Sequence, residues 1–417
     1  MMQTNSSLPL EGRVREGVEL SHSADSLPLE GRVREGVELA NSADSLPLVG
    51  RVREGVRRVA LIEFFGIGGT ADYTDCLATA LSGQGIEVAV VTSSLFQPLN
   101  PTPGYRIVRP FRYRPEQPKP LKAWRLARAI GPARDFLADF QPEVVHAQGT
   151  VLPAIEGRLF SSLSMPTVCT VHDARAHERR PWLGSFTNFY RRFDRLICHS
   201  QFTRRQLAEV IPDARINVVP HGSYSPLVGP PANRTKSRER LGLPLSSRVA
   251  LFFGFIRPYK GLDLFLDSLA LAASHGHDIR GVVAGRPLYD IAPSMARARR
   301  AGIPVDWHLR FLARAEFATY FAAADVVALP YLETFDSGAL ELAAAFGKPV
   351  VVSDAGGLAE AFNRYGYGAV LPERTPEELA QALVADYPVR PTATEAANSW
   401  TTVSARTADI YREAIGD

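Results

Sequence analysis

The sequence alternates between short apolar runs and helical patterns, and from Arg57 onward it does so twice. In the first half the apolar runs are RRVALIEFF, IEVAVVTSS, EVVHAQ, TVCTVHD, RLICHS and INVVPHG. In the second half they are RVALFFGFI, GVVAG, DVVALPY and PVVVSD, with helices predicted between them at 262–274, 314–323 and 338–346. Apolar runs without strict polar alternation are typical of parallel strands covered by helices on both faces. The sequence therefore predicts an α/β fold of two Rossmann-like, doubly wound domains that face a cleft.

The segments outside this alternation give the predicted domain boundaries. SLPLEGRVREGV begins at Ser7 and Ser26 and returns as SLPLVGRVREGV at Ser45, so that the copies start 19 residues apart. Because Pro and Gly interrupt each copy and few of its residues are apolar, residues 1–56 are predicted to be a disordered repeat tail. We then predict a first domain at 57–225, a Pro- and Gly-rich linker at 226–246, a second domain at 247–395 and a final helix within 396–417.

Composition argues against several classes of protein. The net charge of +3 is too small to predict a nucleic-acid partner. Cys76, Cys169 and Cys198 are far apart, so neither a disulfide framework nor a zinc site is predicted. No window approaches the length of a membrane-spanning helix, and the N-terminal residues lack the pattern of a signal peptide. We therefore expect a cytoplasmic protein.

A glycine-rich loop, GIGGTA, follows the first predicted strand. It matches the dinucleotide-binding pattern G-x-G-x-x-A, which also requires an acidic residue at the end of the second strand. That strand ends VVTSSLF, without Asp or Glu, which argues against a dehydrogenase. We instead expect Gly68 and Gly69 to let a phosphate or a sugar approach the backbone, with a plain tight turn as the alternative.

A pair of basic residues lies in GFIRPYKG, between a predicted strand and a predicted helix. Arg257 and Lys260 would then lie at a helix N-terminus, where backbone N–H groups and the helix dipole already favour an anion. Two cations at such a place suit a diphosphate, whose growing charge they can neutralise as it departs. A solvated basic turn is the alternative.

Two glutamates, Glu333 and Glu341, lie in the loop and the helix that follow the strand DVVALPY. A carboxylate can accept hydrogen bonds from two neighbouring hydroxyl groups of a sugar. We expect Glu333 to bind a sugar and Glu341 to face outward to another group such as a ribose. The alternative is that one glutamate assists the helix N-terminus and the other is solvated. The loop and first helical turn between them offer backbone N–H groups at Phe335, Asp336, Ser337 and Gly338.

Taken in order, these motifs resemble the family 4 glycosyltransferases, retaining enzymes of the GT-B fold. The resemblance covers the chain from about Arg57 to the C-terminus. It rests on the glycine loop, TVHD, VVPHG, FFGFIRPYKG, VVAG, YFAAADVVALPY, the two glutamates and AFGKPVVVSDAGGL. It implies a nucleotide diphosphate sugar held mainly by the second domain and a glycan or lipid-linked acceptor held mainly by the first.

The resemblance also implies roles for individual residues. Those near the reacting bond would be His172, Arg257, Lys260 and Glu333. Those that bind the donor would be Gly68, Gly69, Phe335, Asp336, Ser337, Gly338 and Glu341. The last helix would cross back to brace the first domain, and neither a metal nor a cofactor is expected. The sequence departs from the commonest family pattern at Phe255, where Arg is usual, and at Asp336, where Gly is usual.

Other functions stay open on the sequence alone. A glycosidase also uses two carboxylates, but here both come from one loop and helix, which makes it difficult for them to flank a glycosidic bond. A metal site at His172 and His177 is another alternative. The two residues lie five apart, whereas two metal ligands on a helix prefer a spacing of four, so the spacing argues against a metal. A nucleotide-sugar-binding scaffold without catalytic activity, acting in polysaccharide assembly, is the remaining alternative.

A basic segment with interspersed apolar residues follows the second predicted strand of the first domain. It could rest peripherally on an anionic membrane surface and meet a lipid-linked acceptor. The alternative is a solvated basic face. The basic residues are Arg106, Arg109, Arg112, Arg114, Lys119, Lys122, Arg125 and Arg128, and Tyr113, Leu121 and Trp124 lie among them.

Overall fold

A computed structural model describes residues 55–112, 117–172, 186–230, 232–333, 337–387 and 398–416. These residues belong to one compact unit, Arg53–Asp417. All but the last two residues of the predicted repeat tail lie outside the described residues, as do Phe335 and Asp336 of the predicted donor site and His177.

The first lobe contains a parallel sheet with the strand order β3-β2-β1-β4-β5-β6-β7. Its elements, in chain order, are β1 Arg58–Ile62, α1 Gly69–Gly83, β2 Glu87–Ser93, β3 Arg106–Phe111, α2 Lys119–Phe140, β4 Val144–Gln148, α3 Pro153–Phe160, β5 Thr167–Thr170, α4 Phe186–Tyr190, β6 Arg195–Cys198, α5 Gln201–Ala208 and β7 Ile216–Val218.

The second lobe contains a parallel sheet with the strand order β10-β9-β8-β11-β12-β13. Its elements are α6 Arg234–Leu241, β8 Arg248–Phe253, α7 Leu262–Ser274, β9 Ile279–Ala284, α8 Ala292–Arg300, β10 Val305–His308, α9 Arg314–Ala323, β11 Val326–Leu329, α10 Gly338–Ala345, β12 Val350–Ser353, α11 Leu358–Tyr365, β13 Gly368–Leu371 and α12 Pro376–Val384. The last described helix is α13 Trp400–Ile415.

Each sheet is buried on both faces, because alternate residues of its strands point to opposite sides. In β1, Val59 and Leu61 pack with α1 and α13, whereas Ala60 and Ile62 pack with α2 and α3. Burial of each large aliphatic side chain contributes roughly 1.5–3 kcal/mol. Because each sheet has one hydrophobic core on each of its two faces, nearly every residue of a central strand is buried, and the strand appears in the sequence as a continuous apolar run.

Helix α13 packs on the first lobe although it follows the second lobe in the chain. The Tyr411 hydroxyl lies 2.7 Å from Nδ1 of His146, and Nε1 of Trp400 donates to the carbonyl of Ser223 at 2.6 Å. A Cβ at Gly222 would lie 2.6 Å from the Trp400 indole, so glycine is required for this contact. These contacts fix α13 on the first lobe.

The predicted parallel sheets are confirmed, and the apolar runs named above correspond to β1, β2, β4–β9, β11 and β12. The sequence analysis missed β3, β10 and β13, and each of them is an edge strand of its sheet. Their residues are largely half-exposed, so their sequences lack the continuous apolar pattern. The stretch predicted as a linker contains α6, whose fully buried Arg238 donates to Asp325 of the second lobe at 2.6 Å.

Candidate functional site

The glycine loop after β1 is held by a buried carboxylate, Glu63. Its oxygens accept hydrogen bonds from the backbone N–H groups of Phe65 at 2.8 Å and Gly66 at 2.7 Å, and from the Thr92 hydroxyl at 2.6 Å. Burial raises the pKa of Glu63 to about 7, although these hydrogen bonds partly offset the effect. Gly66 has φ 72°, and a Cβ there would lie 2.7 Å from the side chain of Ser93, so the tight turn requires glycine.

Tyr224 brings the N-termini of two helices from different lobes together. Its hydroxyl donates to the carbonyl of Gly69, the first residue of α1, at 2.9 Å. A Cβ at Gly338, the first residue of α10, would lie 3.2 Å from the Tyr224 ring. A Cβ at Gly68 would lie 3.3 Å from the ring of Phe255. The loops after β1, β8 and β11 therefore meet, and the N-termini of α1 and α10 lie close to one another there.

Lys260 lies in the turn after β8 and is 9% exposed. Its Nζ is 5.1 Å from the centre of the Tyr331 ring, and the Ser337 side chain lies beside the Tyr331 phenol. Burial lowers the pKa of the Lys260 ammonium; Tyr259 opposes this effect and Arg257 adds to it. A largely desolvated ammonium of this kind gains stability when an anion approaches it.

The other predicted residues of the second lobe lie around this point. Arg257 is half-buried and immediately precedes the turn that carries Lys260. Ser337 is the N-cap of α10 and accepts a hydrogen bond from the Leu340 N–H at 3.3 Å. Glu333 is exposed in the loop after β11. Phe255, which stands where Arg is usual in the family, packs on Gly68 of the first lobe.

The expectation that Glu341 faces outward is wrong. Its residue is 3% exposed, because α10 packs between β11, β12 and α11 and has buried neighbours on both sides. Nδ2 of Asn398 donates to its carboxylate at 3.4 Å, and Nη2 of Arg364 lies at 3.9 Å. Side chains from α11 and from the residue that precedes α13 by two therefore hold the carboxylate in place.

His172 follows β5 and packs edge-on against Tyr73 of α1, with ring centres 5.0 Å apart. Its Nδ1 lies 3.4 Å from Nε2 of His199, whose Nδ1 lies 2.9 Å from the Val219 carbonyl. Burial lowers the pKa of His172 well below its ordinary value, and His199, His221 and His146 add to the effect. A neutral imidazole is therefore expected at neutral pH.

Sequence reasoning missed the contacts that join the lobes. Nε of Arg314 in α9 donates to Asp72 of α1 at 2.6 Å, and its Nη1 donates to the Gln97 carbonyl at 2.8 Å. Burial raises the pKa of Asp72 to about 6, and Arg314 partly offsets this rise. The Glu360 carboxylate accepts the Gln201 N–H at 2.9 Å, at the N-terminus of α5. No local pattern in the sequence connects partners so far apart in the chain.

The part of the chain that the structure describes contains no group of three or more His, Cys, Asp or Glu side chains that could hold a metal ion. Within the same residues, every helix is too short or too polar to cross a membrane.

Two family profiles match the chain. The family described as Glycosyltransferase Family 4 matches residues 67–223, and the family described as Glycosyl transferases group 1 matches residues 233–385. Similar curated proteins include a D-inositol 3-phosphate glycosyltransferase of Kineococcus radiotolerans, which is 34% identical over 54% of this chain and 58% of the relative. The chain thus spans little more than half the length of such curated relatives.

Solved structures resemble the fold over a larger part of the chain. Sucrose-phosphate synthase from Thermosynechococcus elongatus has a TM-score of 0.66 and 18% identity, and the match covers 86% of this chain and 98% of that one. Anabaena HepE, solved in complex with UDP-glucose, has a TM-score of 0.61 and 19% identity over 86% of this chain and 98% of its own. At these identities the likeness concerns the fold alone.

Proposed function

Since the chain belongs to the group 1 glycosyltransferases and its first lobe matches glycosyltransferase family 4, we propose that it transfers a sugar from a nucleotide diphosphate sugar to an acceptor hydroxyl. The family and the GT-B fold predicted from the motifs are confirmed by these matches. The observation that carries the proposal is the meeting of α1, α10 and the buried Lys260 at the carboxyl ends of the strands, through Tyr224 and Tyr331. Ligands of open α/β sheets bind at this end of the strands.

The donor lies between these groups in our proposal. Arg257, Lys260 and the N–H groups at the start of α10 bind the diphosphate. Glu333 accepts hydrogen bonds from the sugar, and Glu341 accepts them from the ribose. A UDP-sugar is the first donor to test, because Anabaena HepE was solved with UDP-glucose.

The reaction breaks the bond between the anomeric carbon and the diphosphate oxygen, and the acceptor oxygen forms the new bond on the same face of the sugar. The acceptor proton leaves with the departing diphosphate, and the anomeric configuration is retained. Arg257, Lys260 and the helix dipoles stabilise the charge that grows on the leaving group, so the proposal needs neither a protein nucleophile nor a resident metal or cofactor. His172 lies near the reacting sugar and, being neutral, accepts a hydrogen bond from a hydroxyl.

A glycan or lipid-linked acceptor is proposed for the first lobe. Helix α2 supports contact with an anionic membrane surface at the inner face of the cytoplasmic membrane, because Trp124 is 56% exposed and Arg128 lies 5.0 Å from its ring centre. Loss of co-sedimentation with anionic liposomes on Trp124→Ala supports this contact, and equal sedimentation with neutral liposomes contradicts it. The names of curated relatives add D-inositol 3-phosphate as a soluble acceptor to test.

The central experiment is a panel of UDP-, GDP- and ADP-sugars, tested by calorimetry for binding and by chromatography for sugar release. We expect one donor class to bind and to lose its sugar slowly to water and faster to an acceptor. Binding without sugar release to any acceptor favours the inactive scaffold. An absence of binding across the panel contradicts the proposed function.

A further inference from the structure

Gln148, the last residue of β4, carries a buried side-chain amide. The residue is fully buried, and neither its Oε1 nor its Nε2 has a hydrogen-bond partner among the described residues. Buried side-chain amides in folded proteins are nearly always hydrogen-bonded, since desolvation without compensation is costly. A leucine would fill similar space at this position without that cost, so the amide calls for an explanation.

The position of Gln148 places it next to His172. Strand β4 lies between β1 and β5, and Gln148 is in register with Thr170, two residues before His172. A Cβ at Gly149 would lie 3.8 Å from Cδ2 of His172, the ring carbon bonded to Nε2. The Nε2 edge of the imidazole therefore lies over the end of the strand that carries Gln148.

The hydrogen bonds of His199 fix the tautomer of His172. Nδ1 of His199 must carry a proton, because it lies 2.9 Å from the carbonyl oxygen of Val219, which can only accept. Nε2 of an imidazole that carries its single proton on Nδ1 is an acceptor, so the proton between the two rings belongs to Nδ1 of His172. Nε2 of His172 consequently carries a lone pair and no proton. This atom is buried and has no partner within the described part of the chain.

We propose that the Gln148 amide and Nε2 of His172 form one subsite that binds a pair of neighbouring hydroxyl groups on a neutral, polyol-like part of a substrate. The histidine lone pair accepts one O–H group, and the amide can both donate to and accept from the other. An anionic oxygen is disfavoured, because the lone pair on Nε2 of His172 cannot donate a hydrogen bond to it and would repel it. The inference rests on the proposed function, and the hydroxyl pair belongs either to the acceptor or to the transferred sugar.

The test replaces Gln148 with leucine and compares it with the same change at Gln84. Because Gln148→Leu removes the unpartnered groups, it should raise the Tm by a few degrees while raising the KM of the substrate that carries the hydroxyl pair about tenfold. Gln84 is also in the first lobe, but its Nε2 donates to the Ser404 hydroxyl at 2.7 Å. Gln84→Leu should therefore lower the Tm and leave both KM values unchanged.

The two sources of the hydroxyl pair give different kinetics. A raised KM for the acceptor with an unchanged KM for donor hydrolysis assigns the pair to the acceptor. A raised KM in donor hydrolysis assigns it to the transferred sugar. Unchanged KM values in both reactions, with or without a higher Tm, overturn the subsite.

A spectroscopic measurement keeps the subsite testable if no nucleotide sugar is turned over, a result that would count against the proposed function alone. In protein labelled with ¹⁵N-histidine, myo-inositol or glucose should shift the Nε2 resonance of His172, and Gln148→Leu should abolish the shift. An Nε2 resonance that responds to neither polyol, or responds equally in Gln148→Leu, overturns the inference.

Discussion

The two lobes share one architecture but carry different chemistry at the carboxyl ends of their strands. In the second lobe, Arg257 and the buried Lys260 follow β8, and the N-terminus of α10 follows β11. In the first lobe, uncharged or acidic groups follow the strands, with Glu63 after β1, Gln148 at the end of β4 and His172 after β5. The first set is suited to a diphosphate, and the second is suited to hydroxyl groups.

This difference teaches that the sheet supplies positions while the residues that follow its strands supply function. Burial acts in opposite directions on the two sets. It lowers the pKa of Lys260 and raises the pKa of Glu63, so it disfavours the charged form of each group. An anionic ligand would stabilise the charged form of Lys260, whereas a neutral ligand leaves Glu63 undisturbed.

The largest expected effect comes from removing the cation of the second lobe. Lys260→Ala should lower kcat for sugar release about 10²–10³-fold, because the ammonium stabilises charge that grows on the departing diphosphate. Lys236→Ala is the control, since Lys236 is exposed on α6. A Lys260→Ala enzyme with the wild-type kcat would show that the anion site lies elsewhere.

The next effect concerns nucleotide affinity. Glu341→Ala should weaken binding of the nucleoside diphosphate about tenfold to a hundredfold, as expected for loss of hydrogen bonds to a charged acceptor worth about 1.5–3 kcal/mol. Calorimetry with UDP, GDP and ADP measures this directly. Glu377→Ala, on the exposed side of α12, should leave the affinity unchanged. Equal affinities in both variants would separate Glu341 from the ribose and leave it a structural partner of Arg364 and Asn398.

The contrast between the lobes also explains what the sequence could predict. The apolar runs and the helices at 262–274 and 314–323 agree with β-strands and with α7 and α9, because each pattern is local and repeats at the period of its element. Lys260 was placed next to a helix N-terminus for the same reason. Edge strands such as β3 were not predicted, because a half-exposed strand with Arg106 and Arg109 lacks the continuous apolar pattern.

Burial and long-range contacts could not be predicted in this way. Nothing near Glu341 in the sequence indicates that Arg364 and Asn398 pack against it. Tyr224 joins Gly69 and Gly338 across more than a hundred residues of chain on either side. The absence of protein partners for Gln148 among the described residues is likewise a property of packing, which a local pattern cannot express.

A smaller effect is expected where the two lobes touch. Arg314→Ala removes the hydrogen bonds to Asp72 and to the Gln97 carbonyl. Loss of about 1 kcal/mol from the arrangement in which the two lobes touch should lower kcat/KM about fivefold. Fewer molecules then hold the carboxyl ends of both sheets against one substrate. Small-angle scattering should show a larger radius of gyration.

Arg297→Ala provides the matched control for this contact. Arg297 pairs with Asp263 at 2.8 Å entirely within the second lobe, so its loss should change neither kcat/KM nor the radius of gyration. If both variants behave alike, the Asp72–Arg314 pair does not hold the lobes together.

The smallest effect distinguishes the lobes by pH. Glu156 accepts N–H groups of Val151 at 2.9 Å and Leu152 at 3.0 Å, and burial raises its pKa to about 7. The folded protein therefore binds more protons here than the unfolded chain between about pH 4.5 and pH 7, and this contribution to the free energy of unfolding is lost as the pH rises through that range. Urea unfolding at about pH 5 and about pH 7.5 measures the loss.

Glu156→Gln should make that decrease smaller, because an amide does not titrate. Glu333→Gln is the control from the second lobe, because its side chain is exposed and takes no part in the hydrogen bonds of Glu156. A decrease of the same size in all three proteins would mean that the buried carboxyl of the first lobe is ionised throughout this range. The second lobe would still bind an anion at the carboxyl ends of its strands. The uncharged character of the same end of the first lobe would then rest on Gln148 and His172 alone.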